Sequence, residues 1–227
     1  MMTFWYRVCW WICRIGLFFW HPVFHVVGRE LVPVGKAVIC ANHSGCADAI
    51  WLLLALDAPQ MSRIIAKKEL RKVPVVGWVM AKFRIIFVDR KAHDGTAYHE
   101  GVQALKDGEQ MMVFVEGTRC NKNKHVRAKT GAVRMAVEAD APLVPVFITR
   151  NKTPWCPVNV IFGQPYEMPK RDGWTHDEYQ QQADELLRRI YRLGGDSYAD
   201  HIGEDGGILL RGCPGGGDGR RKRPARK

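Results

Sequence analysis

Histidine has an unperturbed pKa near neutrality, so it can take a proton from a hydroxyl at working pH. His43 stands five residues before Asp48 in the run Asn42, His43, Ser44, Gly45, Cys46, Ala47, Asp48. A carboxylate at that distance across a tight turn can bond one ring nitrogen and fix the tautomer in which the other acts as a base. Gly45 supplies the freedom such a turn needs. By itself an H-x4-D string is weak, because a helix-capping Asp48 beside a structural His43 has the same spelling. Ser44 and Cys46 raise a rival chemistry, a covalent nucleophile served by His43. Against it, adjacent side chains in a turn rarely face each other, and there is no G-x-S-x-G elbow.

Two further polar clusters follow apolar runs of strand type. In Phe114, Val115, Glu116, Gly117, Thr118, Arg119, the Glu, Thr and Arg of one turn surround backbone N–H groups suited to a phosphate or a developing oxyanion. In Phe87, Val88, Asp89, Arg90, the arginine leaves a strand end and can make bidentate bonds to a phosphate. Either arginine alone would equally suit a surface ion pair.

The elements that must position these groups alternate, as in an α/β domain with a mixed central sheet flanked by helices. Strands are expected at 36–40, 63–66, 84–88, 111–115, 144–148 and 158–162. Helices are expected at 47–56, 75–81, 96–106, 131–139 and 175–193. The last helix places Tyr179, Ala183, Leu186, Leu187 and Ile190 on one face. His43 and Glu116 then both fall just past the ends of strands, where α/β sheets bind ligands.

The 227 residues suffice for one core with appendages at both ends. Residues 1–30 form the first appendage. The stretch 4–20, FWYRVCWWICRIGLFFW, carries only Arg7 and Arg14 as charges, on one helical stripe that His21 extends. It suggests a helix lying in a bilayer interface, with Trp5, Trp10, Trp11 and Trp20 at headgroup depth. It is short for a span of roughly 20 apolar residues, and Arg14 disfavours a signal peptide. A helix of the domain core is the bland alternative. Residues 31–202 form the catalytic domain. Residues 203–227 read as a disordered basic tail, holding six of the formal +11 charges in the last eight residues. Such charge suits anionic lipid, a phosphorylated metabolite or nucleic acid, and does not choose among them. The seven cysteines are odd in number and never spaced C-x2-C, which suits reduced thiols rather than a zinc site or a disulfide frame.

Taken in order, N-H-x4-D, F-V-D-R, E-G-T-R and P-L-V-P resemble the four blocks of the glycerolipid acyltransferases, over roughly residues 34–162. The resemblance implies a glycerol-3-phosphate acyltransferase-like fold. It also implies His43 and Asp48 as the catalytic pair, and an acceptor-phosphate site made by Arg90, Glu116, Gly117, Thr118 and Arg119, with Lys67 and Lys68 adding charge. Pro145 belongs to the fourth block, and Lys129 to Ala132 resembles the family's K-x-G-A helix start. The implied reaction transfers a fatty acyl group from acyl-CoA or acyl carrier protein to 1-acylglycerol 3-phosphate. No metal or bound cofactor and no nucleic acid is expected, and the expected place is the cytoplasmic face of a membrane. The backbone N–H of Gly117, or those of the turn after His43, are the expected oxyanion donors. Other acceptors, namely glycerol 3-phosphate, another lysophospholipid or an amino-acid lipid, stay open, as does a non-catalytic membrane or nucleic-acid binder. The third block departs from the family's F-P-E-G-T-R-S at Val115 and Cys120, which spares its charged groups.

Overall fold

The computed structural model describes residues 2–56, 62–67, 85–88, 95–120, 124–150, 152–195 and 208–210. Among them the elements run α1 (Met2–Trp20), β1 (Phe24–Val27), β2 (Ala37–Ala41), α2 (Asp48–Ala55), β3 (Ser62–Lys67), β4 (Ile85–Val88), α3 (Thr96–Lys106), β5 (Gln110–Phe114), β6 (Lys124–Val126), α4 (Gly131–Ala139), β7 (Leu143–Ile148), β8 (Val158–Phe162), α5 (His176–Leu193) and β9 (Ile208–Leu210). The helix expected at 75–81 lies outside the described residues.

One sheet has the order β1-β8-β7-β2-β5-β3-β4. From β7 to β4 the strands are parallel. β8 runs antiparallel to β7, with β1 parallel to β8, so the sheet is mixed as expected. The centre explains its own sequence: β2, AVICA, is buried along its whole length because both faces of the sheet are covered. Val38 and Cys40 face the core under α3, α4 and α5, while Ala37, Ile39 and Ala41 face the core under α2. This is the two-residue alternation of a strand between two layers. α5 begins with a capping box, in which Thr175 Oγ1 accepts from the Glu178 N–H and the Glu178 carboxylate accepts from the Thr175 N–H. It buries Ala183, Leu186, Leu187 and Ile190 as its periodicity predicts, and Tyr191 as well.

Three features differ from the expectation. β1 was not anticipated, since four residues at a sheet edge with half-buried alternation carry little signal. Ile208–Leu210, inside the stretch expected to be disordered, pair antiparallel with Lys124–Val126; three consecutive apolar residues find a partner strand there. Finally, the stripe of Arg7, Arg14 and His21 is not a uniform polar face. Arg7 is exposed and Arg14 is half-buried, its guanidinium 5.8 Å from the Phe24 ring centroid. His21 is buried, its Nδ1 3.0 Å from the Cys156 carbonyl oxygen.

α1 therefore has two sides. Trp10, Cys13 and Leu17 pack on the core under α2, whereas Phe4, Trp11, Ile12, Ile15, Phe18, Phe19 and Trp20 are exposed. No described helix is long and apolar enough to cross a membrane.

Candidate active site

The register of β2 and β5 assembles the site. Ala41 pairs with Phe114, so two residues further on His43 and Glu116 meet above the carboxyl edge of the sheet. β2 leaves through Asn42, whose amide takes over the ladder to β7: Nδ2 donates to the Ile148 carbonyl at 2.9 Å, and Oδ1 accepts from the Ile148 N–H at 2.7 Å. Asn42 is fully buried, and its twin bonds fix the direction from which His43 departs.

The imidazole of His43 stacks on Phe114 with centroids 4.2 Å apart and planes 19° apart. Its Nδ1 lies 2.9 Å from Asp48 Oδ2, and its side chain stays 21% exposed while Asp48 is fully buried. The two residues brought together by H-x4-D are thus an oriented acid–base pair, with Nδ1 committed and Nε2 the nitrogen left for a substrate proton. Asp48 also closes the turn, Oδ2 accepting from the N–H groups of Ser44 at 2.6 Å and Gly45 at 2.8 Å. Its second oxygen, Oδ1, forms an ion pair at 2.6 Å with Lys152 Nζ. Burial pushes the Asp48 carboxyl up. The hydrogen bond with His43, the Lys152 charge and the Gly45 N–H together outweigh burial and hold it below the usual carboxylate range.

Glu116 occupies a different place from the phosphate-contacting one expected. It is 2% exposed. Its Oε2 accepts from the His43 backbone N–H at 3.2 Å, and its Oε1 accepts from the Tyr191 hydroxyl. Both oxygens look inward, and a carboxylate would in any case repel a phosphate. Burial pushes its pKa up to about 7, against the opposing pull of the Tyr191 hydroxyl and the His43 N–H. The same turn grips His43 from the other side, since the Cys120 N–H donates to the His43 carbonyl at 2.7 Å. The E-G-T-R turn is therefore a clamp on the His43 backbone.

Gly117 has φ 64°, a left-handed conformation natural to glycine, and a Cβ there would meet Lys129 Cγ at 3.0 Å. Thr118 and Arg119 are exposed at the outer side of the turn. Arg119 Nη1 lies 2.6 Å from Cys46 Sγ, which puts its guanidinium over the His43–Asp48 turn. Of the expected phosphate groups, Arg119 reaches the turn that follows His43, and Thr118 is exposed next to it in the chain. Lys67 ends β3 at the same edge of the sheet, while Arg90 and Lys68 lie outside the described residues. Pro145 sits mid-strand in β7, away from the turn. Three of the expected oxyanion donors have other partners: the N–H groups of Ser44 and Gly45 serve Asp48, and that of Gly117 donates to the Phe114 carbonyl at 3.0 Å.

Four residues of this assembly take roles that no motif announces: Asn42 as a ladder extension, Phe114 as a stacking platform, Tyr191 as a donor from α5 and Lys152 as the ion-pair partner of Asp48. The last two come from positions 75 and 108 residues away from the groups they touch, Glu116 and Ser44.

A family model described as Acyltransferase matches residues 23–149. The chain is similar to a 1-acyl-sn-glycerol-3-phosphate acyltransferase of Saccharomyces cerevisiae, 30% identical over 144 residues, which covers 61% of this chain and 47% of the relative. A Bacillus subtilis protein of the same description is 34% identical over 121 residues, covering 53% and 59%. The crystal structure of the 1-acyl-sn-glycerophosphate (LPA) acyltransferase PlsC from Thermotoga maritima has a TM-score of 0.60 at 26% identity, covering 76% of this chain and 73% of that one. The chain spans about half the length of the curated relatives it matches.

Proposed function

Because the chain belongs to the acyltransferase family, we propose that it transfers a fatty acyl group from acyl-CoA or acyl carrier protein to the free hydroxyl of 1-acylglycerol 3-phosphate, giving phosphatidic acid for phospholipid synthesis. The observation that carries this proposal is the His43–Asp48 pair at 2.9 Å, buried on the Asp48 side and open on the imidazole side. Nε2 takes the hydroxyl proton as the oxygen attacks the thioester carbonyl. A C–O bond forms, the tetrahedral oxyanion collapses, the C–S bond breaks, and the leaving thiolate takes the proton back from the imidazolium. Asp48 stabilises that imidazolium, and no acyl-enzyme intervenes. The chemistry needs no metal or bound cofactor.

A phosphate on the acceptor is supported by Arg119, which reaches the turn that follows His43, and by Thr118, exposed next to it in the chain. Lys67 and Arg90 are further cations that the family resemblance assigns to the same task. The 1-acyl-sn-glycerol-3-phosphate acyltransferase descriptions of the relatives point to the same acceptor.

A lipid acceptor has to enter from a membrane, and α1 offers a surface for one. Its outward face is apolar and aromatic, its charges are Arg7 and Arg14, and the sequence holds no acidic residue before Glu30. A helix of that composition lies in the interface of an anionic phospholipid surface, and the basic residues 220–227 add attraction to it. The proposed location is the cytoplasmic face of a membrane, peripheral or monotopic.

The test is thioester consumption by the purified protein with long-chain acyl-CoA or acyl carrier protein, against lysophosphatidate, glycerol 3-phosphate, other lysophospholipids and amino-acid lipids. Turnover should need a phosphate monoester acceptor and fall by about 10²–10⁴ in folded His43→Ala. Use of phosphate-free acceptors alone would sink the acceptor assignment, and an active His43→Ala would sink the mechanism.

A further inference from the structure

Lys152 follows β7 and is the least expected member of the site. Its side chain is 11% exposed. Its ammonium is held between Asp48 Oδ1 at 2.6 Å and Ser44 Oγ at 2.7 Å. Burying a flexible, strongly hydrated ammonium beside a buried carboxylate carries a large desolvation penalty, so the pair is weak evidence for a purely stabilising role. The loop that carries it is tied down further along: the Trp155 N–H donates to the Trp20 carbonyl at 2.9 Å, and the Cys156 carbonyl lies 3.0 Å from His21 Nδ1.

We propose that Lys152 is a positioning residue of the catalytic pair, dividing the Asp48 carboxylate so that Oδ2 orients His43 while the ammonium on Oδ1 offsets the negative charge. This rests on the acyl-transfer role of His43. A base must be unprotonated before the reaction and a good proton acceptor during it. A bare buried carboxylate at hydrogen-bond distance orients the imidazole but also holds a proton on it, which removes the base from use at neutral pH. An ammonium shared with the same carboxylate keeps the orientation and cancels part of the attraction. It also pins Ser44, the residue after the base, to Asp48 through a second contact.

Among the described residues, the charged groups gathered around His43 come from four places. Asp48 opens α2; Glu116, after β5, accepts the His43 N–H; Arg119 lies across the turn at Cys46; Lys152 and Arg150 follow β7, with Arg150 near Tyr191. Lys152 is the lysine that meets Asp48 directly.

The experiment follows the His43 ring by NMR titration, independently of turnover, in wild type, Lys152→Met, Lys152→Arg and Ser44→Ala, together with kcat and KM across pH. In Lys152→Met the ring titration and the acid limb of kcat should both move up by about one pH unit, lowering kcat by up to about tenfold on the acid side of the midpoint and recovering at higher pH, with KM little changed. Lys152→Arg should restore the wild-type midpoint. Ser44→Ala, which keeps the ammonium on Asp48, should leave it unmoved; if Lys152→Met does not fold, Lys152→Gln takes its place with the same expected rise. An unmoved ring titration in Lys152→Met, a rise in KM with kcat intact, or a shifted midpoint in Ser44→Ala each overturns the proposal. A shifted ring titration in a protein that is inactive even as wild type would instead sink the acyl-transfer role and leave the electrostatic role of Lys152 standing.

Discussion

Glu116 accepts a hydrogen bond from the backbone N–H of His43 at 3.2 Å, although the two residues lie 73 positions apart in the chain. The bond links the third sequence block to the first from beneath the site. It commits the carboxylate to holding the loop of His43, while Thr118 and Arg119 of the same turn stay exposed.

Glu116→Gln should expose the carboxylate's pH signature. Its folded pKa, about 7, is raised above the ordinary 4.5. Between those values the folded chain keeps a proton that the unfolded chain has lost, so stability falls as pH rises through this window. The full effect approaches about 3 kcal/mol. Asp48, with a lowered pKa, acts in the opposite sense and only at more acid pH. Urea melts from about pH 5 to 8 should show the decline in wild type and its loss in Glu116→Gln. A variant that instead raised the acceptor KM at unchanged kcat would mark Glu116 as a substrate ligand.

Asn42→Ala removes both bonds to Ile148 and leaves a buried N–H and a buried carbonyl unpaired. Destabilisation of about 2–4 kcal/mol is expected, with turnover reduced in the folded fraction because His43 loses its aim. Chemical denaturation measures the first, and single-turnover assays the second.

Arg119→Ala should weaken acceptor binding by about 10- to 100-fold, as a KM effect with kcat largely kept, because its guanidinium lies at the turn and outside the His43–Asp48 bond. Arg119→Lys should recover only part, since an ammonium lacks the planar fork. Steady-state kinetics with lysophosphatidate decide it, and a kcat loss at unchanged KM would count against the phosphate role.

Phe19→Asp and Ile15→Asp test the outward face of α1, where the residues are 69% and 55% exposed. Each should cut partitioning onto anionic phospholipid vesicles about tenfold or more while changing thermal stability little. Flotation of the variants with vesicles, beside thermal melts, separates a lipid-facing role from a folding one.

Much of this site was legible because its chemistry is local. His43 and Asp48 lie in one turn, and the strands that carry His43, Glu116 and Lys67 are apolar runs of ordinary length. Glu116 lies just past a strand end as expected, but its carboxylate turns inward, and a strand-end carboxylate spells the same whether it points outward or toward a backbone N–H. Tyr191 reads as one more apolar position of an amphipathic helix, although its hydroxyl reaches Glu116. Lys152 stands in N-K-T-P-W-C, which has neither periodicity nor a motif; only the parallel pairing of β7 with β2 brings it to Asp48. β1, β6 and β9 escaped because strands of three or four residues give no period to detect.

The loop from Lys152 to Cys156 has a practical consequence for anyone preparing this protein. It is fastened at one end to the carboxylate that orients the base, and at the other to Trp20 and His21, where the N-terminal helix runs out. Trimming that helix to gain a better-behaved sample would remove the anchors of the loop together with the sticky surface. A shortened protein that folds yet turns over slowly would then have been damaged where Lys152 meets Asp48, through a cut made far away in the sequence.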